Sequence, residues 1–584
     1  MKIKDLKMAV ASVNINVNGI PIPSEFQLVW VSIHHELNQI SKASLIFSSG
    51  VASSPFPISD SKIFTAGSVV EVRVGYNTNV GELIFSGIVV AQSAEIAQGS
   101  GAKLKVSCKH KAIITTLPKK TRVFTQLKDS EAWEMMMSEN GIEYGIASSH
   151  RVHENLIQND TTDWRFICST AQRVGYNVIC GLDNKINIHP PGLSAPIKQR
   201  LTYGANVLSF SANFDATDQL GAISFSGWDS ANQELFTHDA DSPQLVDFCA
   251  SAELGNSKSL YLDGYEAFSS SVIGPMDAQL RADAAMLTMR LSALKGEVCF
   301  SGESSMMPGD LIELRGFGSL YSGKAFVTAV HQQISEGNWT TTAHFGLGNL
   351  IEEGKAQVRE HIREESSDIS GLRIAKILQF SKDPNGEFRV QVNVIGSGRD
   401  NIWARMSGFY ASKNSGAFFM PEVGDEVVLG FLGANADLPV ILGSLYSSYH
   451  PAPIEQREDN HQKAIITRSK LALSFDDDEK AIRISTPGGA VVELSDDKGY
   501  LKFADQNGNQ ITLGPQGIFI TSKKGVTVSG PAGISADSDQ GTITLKALNI
   551  EQSAQLSFNA SGRAITKVSS EGQLDIQGSI VQIN

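Results

Sequence analysis

Glycine recurs at a strict step of eight near the C-terminus, at Gly517, Gly525, Gly533 and Gly541. A strand-like pair of side chains follows each: Ile518 and Ile520, Val526 and Val528, Ile534 and Ala536, Thr542 and Thr544. Apolar strand starts continue the pattern both ways, from Ile482, Val491, Leu501 and Ile511 to Ile550, Leu556, Ile565, Leu574 and Ile580. About four residues of each step can extend as a strand, and the rest must turn, where glycine accepts backbone angles that other residues resist. A strand this short buries its apolar side only by stacking on further copies, which predicts a β-solenoid.

Two architectures fit the period. One chain can wrap three octads into each coil, or three chains can intertwine, each supplying one strand per face of a triangular prism. Periodicity does not choose between them, but length separates them. About thirteen strands at ~4.8 Å per layer give a rod of roughly 60 Å if three chains share each layer, and roughly 20 Å for one chain alone. A calcium-binding nonapeptide solenoid would need paired glycines and an aspartate in each repeat, which these octads lack.

A chain of 584 residues exceeds a single core, so three or four domains are expected. Residues 1–350 read as mixed β with helices near 129–141, 160–175 and 277–294. Alternation predicts strands at 69–76 and 103–111. The second helix has Asp160 and Asp163 in cap-like spacing and stops at Gly175. The third places Leu280, Ala284, Leu287, Leu291 and Leu294 on one face, a core-facing stripe. A glycine turn leading into an alternating strand occurs three times, in "AGSVVEVRV" from Ala66, "PGDLIELRG" from Pro308 and "VGDEVVLGF" from Val423, as a small barrel often begins a strand. A charged stretch at 352–368 reads as a linker, and residues 371–446 as a compact β unit.

No motif for chemistry is complete. In "IHHELNQ", His35 and Glu36 suggest a zinc peptidase, but Gln39 stands where the second histidine is required, so a strand or turn is expected. "DPNGE" at 383–387 and "DQNGNQ" at 505–510 lack the later ligands of a calcium loop and read as tight turns. The expectation is no catalytic residue, no metal and no cofactor. A net charge of -13 argues against nucleic acid as a partner. Five cysteines without a CxxC pair fit a reducing cytoplasm, and the N-terminus shows no signal-peptide h-region.

The stretch 401–453 closely resembles the oligonucleotide/oligosaccharide-binding (OB) barrel of VgrG-type spike proteins. That family includes type VI secretion tips, spikes of related injection systems and phage hub–spike complexes. The matching residues include Trp403, Ala404, Arg405, Gly416, Pro421, Gly424, Asp425, Glu426, Val427, Gly430, Phe431, Asp437, Pro439, Val440 and Gly443 through Tyr446. "DTTDWRFICSTAQRVGY" and "FVTAVHQQISEGNWTTTAHFG" are similar to hub segments of the same family, the latter with His331, Gly337 and Trp339. The resemblance implies a mainly β protein with some α. Its parts are a hub of β-barrels and helices over 1–350, a linker at 351–370, an OB barrel at 371–446, a second linker at 447–465 and an intertwined trimeric β-helix at 466–584.

It further implies a homotrimer whose hub meets a hexameric inner tube and baseplate proteins. The rod would touch the target membrane transiently, and effectors are further partners. A PAAR-type protein would cap the tip at Ile580, Val581, Gln582, Ile583 and Asn584. Delivery would proceed from the cytoplasm by the machine itself. About 35 residues separate Tyr446 from Ile482, too few for an inserted enzyme fold. The competing class is a tail-associated polysaccharide-degrading or carbohydrate-binding solenoid.

Overall fold

The computed structural model describes residues 10–49, 62–76, 81–97, 101–216, 219–229, 232–245, 247–250, 265–268, 274–347, 371–380, 383–395, 401–432 and 438–583. The expected linker at 351–370, together with Asp437 and Asn584, lies outside them. Two compact units make up the chain, Met1–Pro451 and Ala452–Asn584.

A thirteen-stranded sheet dominates the first unit and serves two cores. Alternating residues of Ala11–Val17, Gln27–Glu36, Lys42–Ser49, Val69–Tyr76 and Gly101–Lys109 supply the first, around Val31, Leu45, Phe47, Val72 and Val106. Leu294–Ser301, Leu311–Arg315, Gly323–Ser335 and Asn338–Phe345 supply the second, around Val298, Phe300, Leu314, Val330 and Phe345. The two halves meet where Gly323–Ser335 pairs with Gln27–Glu36, His331 standing opposite His34.

The recurrent motif is one structural unit in all three places. Gly67, Gly309 and Gly424 have φ of 89°, 94° and 96°, the left-handed region that glycine enters without steric cost. Each glycine N–H donates to a neighbouring strand: Gly67 to Val89 at 2.9 Å, Gly309 to Val327 at 2.8 Å, Gly424 to Ile377 at 2.9 Å. The same neighbour donates back to the residue after the glycine: Ser68, Asp310 and Asp425. The turn is thereby clamped to the strand that flanks the one it starts.

Helices Asp129–Glu139 and Asp163–Arg173 pack on a third core around Trp133, Phe166 and Val178. The second helix is capped by Thr162, whose side chain accepts from Arg165 N, and not by Asp160 or Asp163. Asp163 is instead buried against Lys120 at 2.6 Å and Arg122 at 2.7 Å. Gly175 stops the helix with φ 76°. Helix Pro275–Ser292 buries Ala278, Ala282, Met286 and Met289 against Ile223 and Phe225. Of the anticipated leucine stripe, Leu280, Ala284 and Leu287 are half-buried and Leu291 is fully buried. The helix is apolar on more than one side, and the side led by Ala278, Ala282, Met286 and Met289 is the one that meets the sheet.

"IHHELNQ" begins in the strand Gln27–Glu36, so His35 and Glu36 point to opposite faces. Among the described residues no group of three His, Cys, Asp or Glu side chains could hold a metal ion, and no helix is long and apolar enough to cross a membrane.

Arg373–Gln379, Val390–Val394, Asn401–Met406, Glu426–Phe431 and Pro439–Ser444 close into a barrel. Its core holds Ile377, Val392, Ile402, Ala404, Leu429 and Ile441, and Val123 and Ile157, from the antiparallel strand pair Lys119–Lys128 and Val152–Thr162, pack against the same cluster.

The second unit begins as a seven-stranded antiparallel meander from Gln462–Ile466 to Gly517–Thr521. This differs from the solenoid expected for the octad pattern. The strands that start near Ile482, Val491, Leu501, Ile511 and Ile518 fold back on one another instead of stacking in coils. The turns explain it: Lys480, Gly489, Gly499 and Gly508 have φ of 44°, 98°, 63° and 82°, and such left-handed residues close hairpins. Beyond Thr521, among the described residues, no strand is hydrogen-bonded within the chain.

Candidate assembly site

Register in the meander decides which side chains share a face. Phe475, Ile482, Leu494, Leu501, Leu513 and Ile518 stand directly opposite one another across successive strands. Two residues along lies a second row: Ile465, Leu473, Ile484, Val492, Phe503, Ile511 and Ile520. Side chains two apart on a strand point the same way, so one face carries two apolar rows, the first of them broken only by Lys463 opposite Phe475 on the opening strand. Ser474, Arg483, Glu493, Lys502 and Thr512 occupy the other face.

The charged face is stabilised within the chain. Lys498 Nζ donates to Glu479 at 3.0 Å and Glu493 at 3.3 Å, and the Tyr500 hydroxyl donates to Glu493 at 3.0 Å. Burial opposes ionisation of Glu493, but Tyr500 and Lys498 hold its carboxyl below the usual range. The apolar face has no comparable cover. Ile484 is 51% exposed, Ile518 67% and Ile520 59%. Full burial of such a side chain contributes about 1.5–3 kcal/mol, and an apolar surface of this continuity marks an interaction site.

The pattern continues past the meander. Val526 and Val528, Leu548 and Ile550, Leu556 and Phe558, and Leu574 and Ile576 are exposed pairs two residues apart. Their backbone makes no in-chain ladder. A segment with exposed apolar pairs and unladdered peptide groups is complementary to other strands of the same kind.

The named glycines divide. Gly517 and Gly533 have φ of 111° and 128°. Gly525 and Gly541 do not lie in the left-handed region, which corrects the expectation for Gly525. Their N–H groups are held instead by Ser522 Oγ at 3.2 Å and Ser538 Oγ at 3.0 Å, a serine turn that needs no special φ. Ile580, Val581 and Ile583 are exposed at the end of the described chain, as is Gln582.

In the barrel, Trp403 is half-buried opposite Gln391, and Arg405 is exposed beside Val440. Gly416 has φ 149°, and a Cβ there would lie 2.7 Å from the Tyr410 carbonyl oxygen. The Asp425 carboxylate accepts from Glu422 N at 2.8 Å and fixes the turn containing Gly424, after Pro421. Glu426 pairs with Lys376, Gly430 with Val440, Pro439 with Phe431 and Gly443 with Val428. These residues build the barrel and its turns and do not converge on a cleft. Sequence reasoning overlooked the exposed aromatics Phe409, Tyr410, Phe418 and Phe419 around the Ala411–Gly416 hairpin. The signal was present in "GFYASKNSGAFFMP", where two aromatic pairs flank a turn.

Comparison with known proteins agrees with this architecture. Residues 7–336 match the model of the Alg8 N-terminal domain, and residues 373–446 that of the type VI secretion system/phage-baseplate injector OB domain. The type VI secretion system spike protein VgrG1a of Pseudomonas aeruginosa is 34% identical over 69 residues, covering 12% of this chain and 11% of that protein. VgrG5 of the same organism is 32% identical over 91 residues, 15% of this chain and 12% of the relative. These alignments therefore span only a small part of the curated relatives. A Francisella PdpA–VgrG complex in its lidded form shares the fold over 89% of this chain and 81% of its own, with a TM-score of 0.52 at 8% identity.

Sheet, barrel and matches together define a spike protein of the VgrG type, related to phage baseplate injectors. Within that class, the chain belongs to the family of the Alg8 N-terminal domain, whose model covers more than half of it.

Proposed function

We propose that the chain is the structural spike of a contractile injection machine and that three copies intertwine through their C-terminal units. One observation carries this reading: two continuous apolar rows, followed by apolar strand pairs without an in-chain ladder, are left without cover by a single chain. Threefold association would bury those rows, pair the strands beyond Thr521 and leave the charged face outward. A prism built this way has no free strand edge and resists deformation. The hub at 1–350 would seat on the hexameric inner tube and baseplate proteins, and the OB barrel at 371–446 would join hub to rod. Residues 466–584 would form the rod, which pierces a membrane when the sheath contracts. Ile580 to Asn584 would meet a PAAR-type tip protein, and effectors would travel with the assembly, released without ordinary secretion.

The role is mechanical and not enzymatic, so purified protein should leave cell wall intact in a zymogram. Light scattering tests the assembly. The expected mass is about three times the 62.9 kDa of one chain, and a clean monomer would overturn both trimer and puncturing.

A further inference from the structure

The face of the large hub sheet turned away from its cores carries a polar pattern that the spike reading does not use. Thr342, His331, His34, Lys42 and Lys109 stand opposite one another in a single row across five adjacent strands. The neighbouring row contains Glu297 opposite His344, and Glu36 opposite Ala329. On the other side lie Gln333, Ser32, Ser44 and Ser107. Lys103 and Lys105 continue the same face of the Gly101–Lys109 strand, and Lys103 stands opposite Glu95.

The groups are in mutual contact. His34 Nε2 lies 2.9 Å from Glu36 Oε2, and His331 Nε2 lies 2.8 Å from Ser32 Oγ. His344 Nδ1 lies 3.5 Å from Glu297 Oε2, and the His34 and His331 rings are 6.1 Å apart. An open trench of about 730 Å³ runs over one end, lined by His34, Glu36, Lys295, Glu297 and His344 among others. Lysines exceed glutamates here, in a chain whose net charge is -13. The cationic excess is therefore local to this face.

We propose that this face binds an acidic, carboxylate-rich protein segment. Charge complementarity selects the occupant. Exposed Lys42 and Lys105, with half-buried Lys109 and Lys295, offer separated ammonium groups. Glu36 lies between them, Glu297 beside Lys295 and Glu95 opposite Lys103, and these carboxylates would repel the unbroken charge of a phosphate backbone. Arginine, the side chain best suited to bidentate phosphate contacts, is absent from the outward residues described in these rows. The histidines add a pH dependence. Burial, then His34, His344 and Lys42, holds His331 below the ordinary histidine range; burial, then His34, does so for His344 against the pull of Glu297 and Glu36. At neutral pH the face relies on its lysines, and on acidification His331 and His344 each gain a charge that an anionic segment would neutralise.

The test uses the full chain and a fluorescein-labelled oligoglutamate, with an oligonucleotide of equal charge as comparison, at about pH 7.5 and about pH 5.5. The oligoglutamate should bind better than the oligonucleotide, and more tightly at the lower pH. Lys42→Ser with Lys105→Ser should weaken it about tenfold. His331→Gln with His344→Gln should flatten the pH dependence while binding at neutral pH persists. Both substitutions lie on a polar face, and an unchanged melting curve would exclude misfolding. No binding at either pH, oligonucleotide binding as tight as oligoglutamate, affinity indifferent to the lysine pair, or a pH dependence that survives the histidine pair would each overturn the proposal.

Discussion

Arg389 of the barrel and Glu154 of the strand Val152–Thr162 are joined by two parallel hydrogen bonds, 2.8 Å and 2.9 Å long. The other side of the guanidinium reaches Asp383 at 2.6 Å, and its side chain is only 9% exposed. Charged groups this enclosed leave a large penalty when one partner is removed. Arg389→Met should lower the stability of the hub–barrel unit by about 3 kcal/mol, read as an earlier calorimetric transition. An unmoved transition would show that the fork carries no coupling. Burial alone would raise the Asp383 carboxyl, but Arg389 and the backbone N–H groups of Arg389, Asn385 and Glu387 hold it down at about 2. Its folded pKa is therefore depressed. The stabilisation is complete above about pH 4 and is lost as pH falls towards about 2.

A second acid transition should come earlier. Burial holds His35 at about 4 despite its hydrogen bond to the Ile84 carbonyl, and burial together with His35 holds His110 at about 4. The carbonyl can only accept, so His35 Nε2 carries the proton and Nδ1 accepts from Ser41 Oγ. The unfolded chain binds protons at these histidines near the ordinary histidine value of 6.5, before the folded chain does. Hub stability should therefore fall as pH drops from about 6.5 to about 4, by roughly 3 kcal/mol per histidine. His110 caps the short helix Lys111–Thr116 by accepting from Ala112 N, a role asparagine can fill. His110→Asn should keep the cap and remove about half of the slope in melting temperature against pH. An undiminished slope would assign it to other groups.

Much of the fold was legible because local chemistry and tertiary context agree. The glycine turns at 67, 309 and 424 were visible as a motif, since a left-handed residue before an alternating strand has few substitutes. The C-terminal repeat was readable as short strands but not as a meander. Apolar spacing is the same whether successive strands stack or fold back, and only φ at Lys480, Gly489, Gly499 and Gly508 separates the two. Arg389 and Glu154 lie 235 positions apart, and pairing at that separation leaves no periodic trace. The histidine row was invisible for the same reason: register places His34 beside His331, whereas the sequence showed only an incomplete zinc motif.

The two faces of the meander should respond differently to substitution. Ile484 and Phe503 lie in the apolar row at 51% and 43% exposure, whereas Lys502 belongs to the charged face. Ile484→Asp with Phe503→Asp would place two carboxylates in every copy of an interface that must be dry, and a buried unpaired charge costs several kcal/mol. Light scattering should then report the mass of a single chain, while the hub–barrel transition stays in place. Lys502→Ser should leave the assembly intact. If the double aspartate variant assembles normally, the apolar rows are not the contact surface.

Gly533 and Gly525 occupy equivalent places in the octad pattern but not the same backbone state. Gly533 has φ 128°, and a Cβ there would meet nothing within 4 Å, so a side chain is opposed by backbone strain alone. Valine in the left-handed region costs roughly 1–2 kcal/mol. In an intertwined trimer the substitution occurs three times, and the strain sums over the copies. Gly525 also has open space around its Cα, lies outside the left-handed region, and has its N–H held by Ser522 Oγ. Gly533→Val should therefore lower the detergent and protease resistance of the assembled rod, and Gly525→Val should leave it close to the unsubstituted protein. Ser522→Ala, which removes the acceptor at the second turn, should cost more than Gly525→Val. Equal loss of resistance in the two valine variants would mean that both turns depend on glycine in the assembled rod. The serine-supported turn at Ser522 would then have to be abandoned.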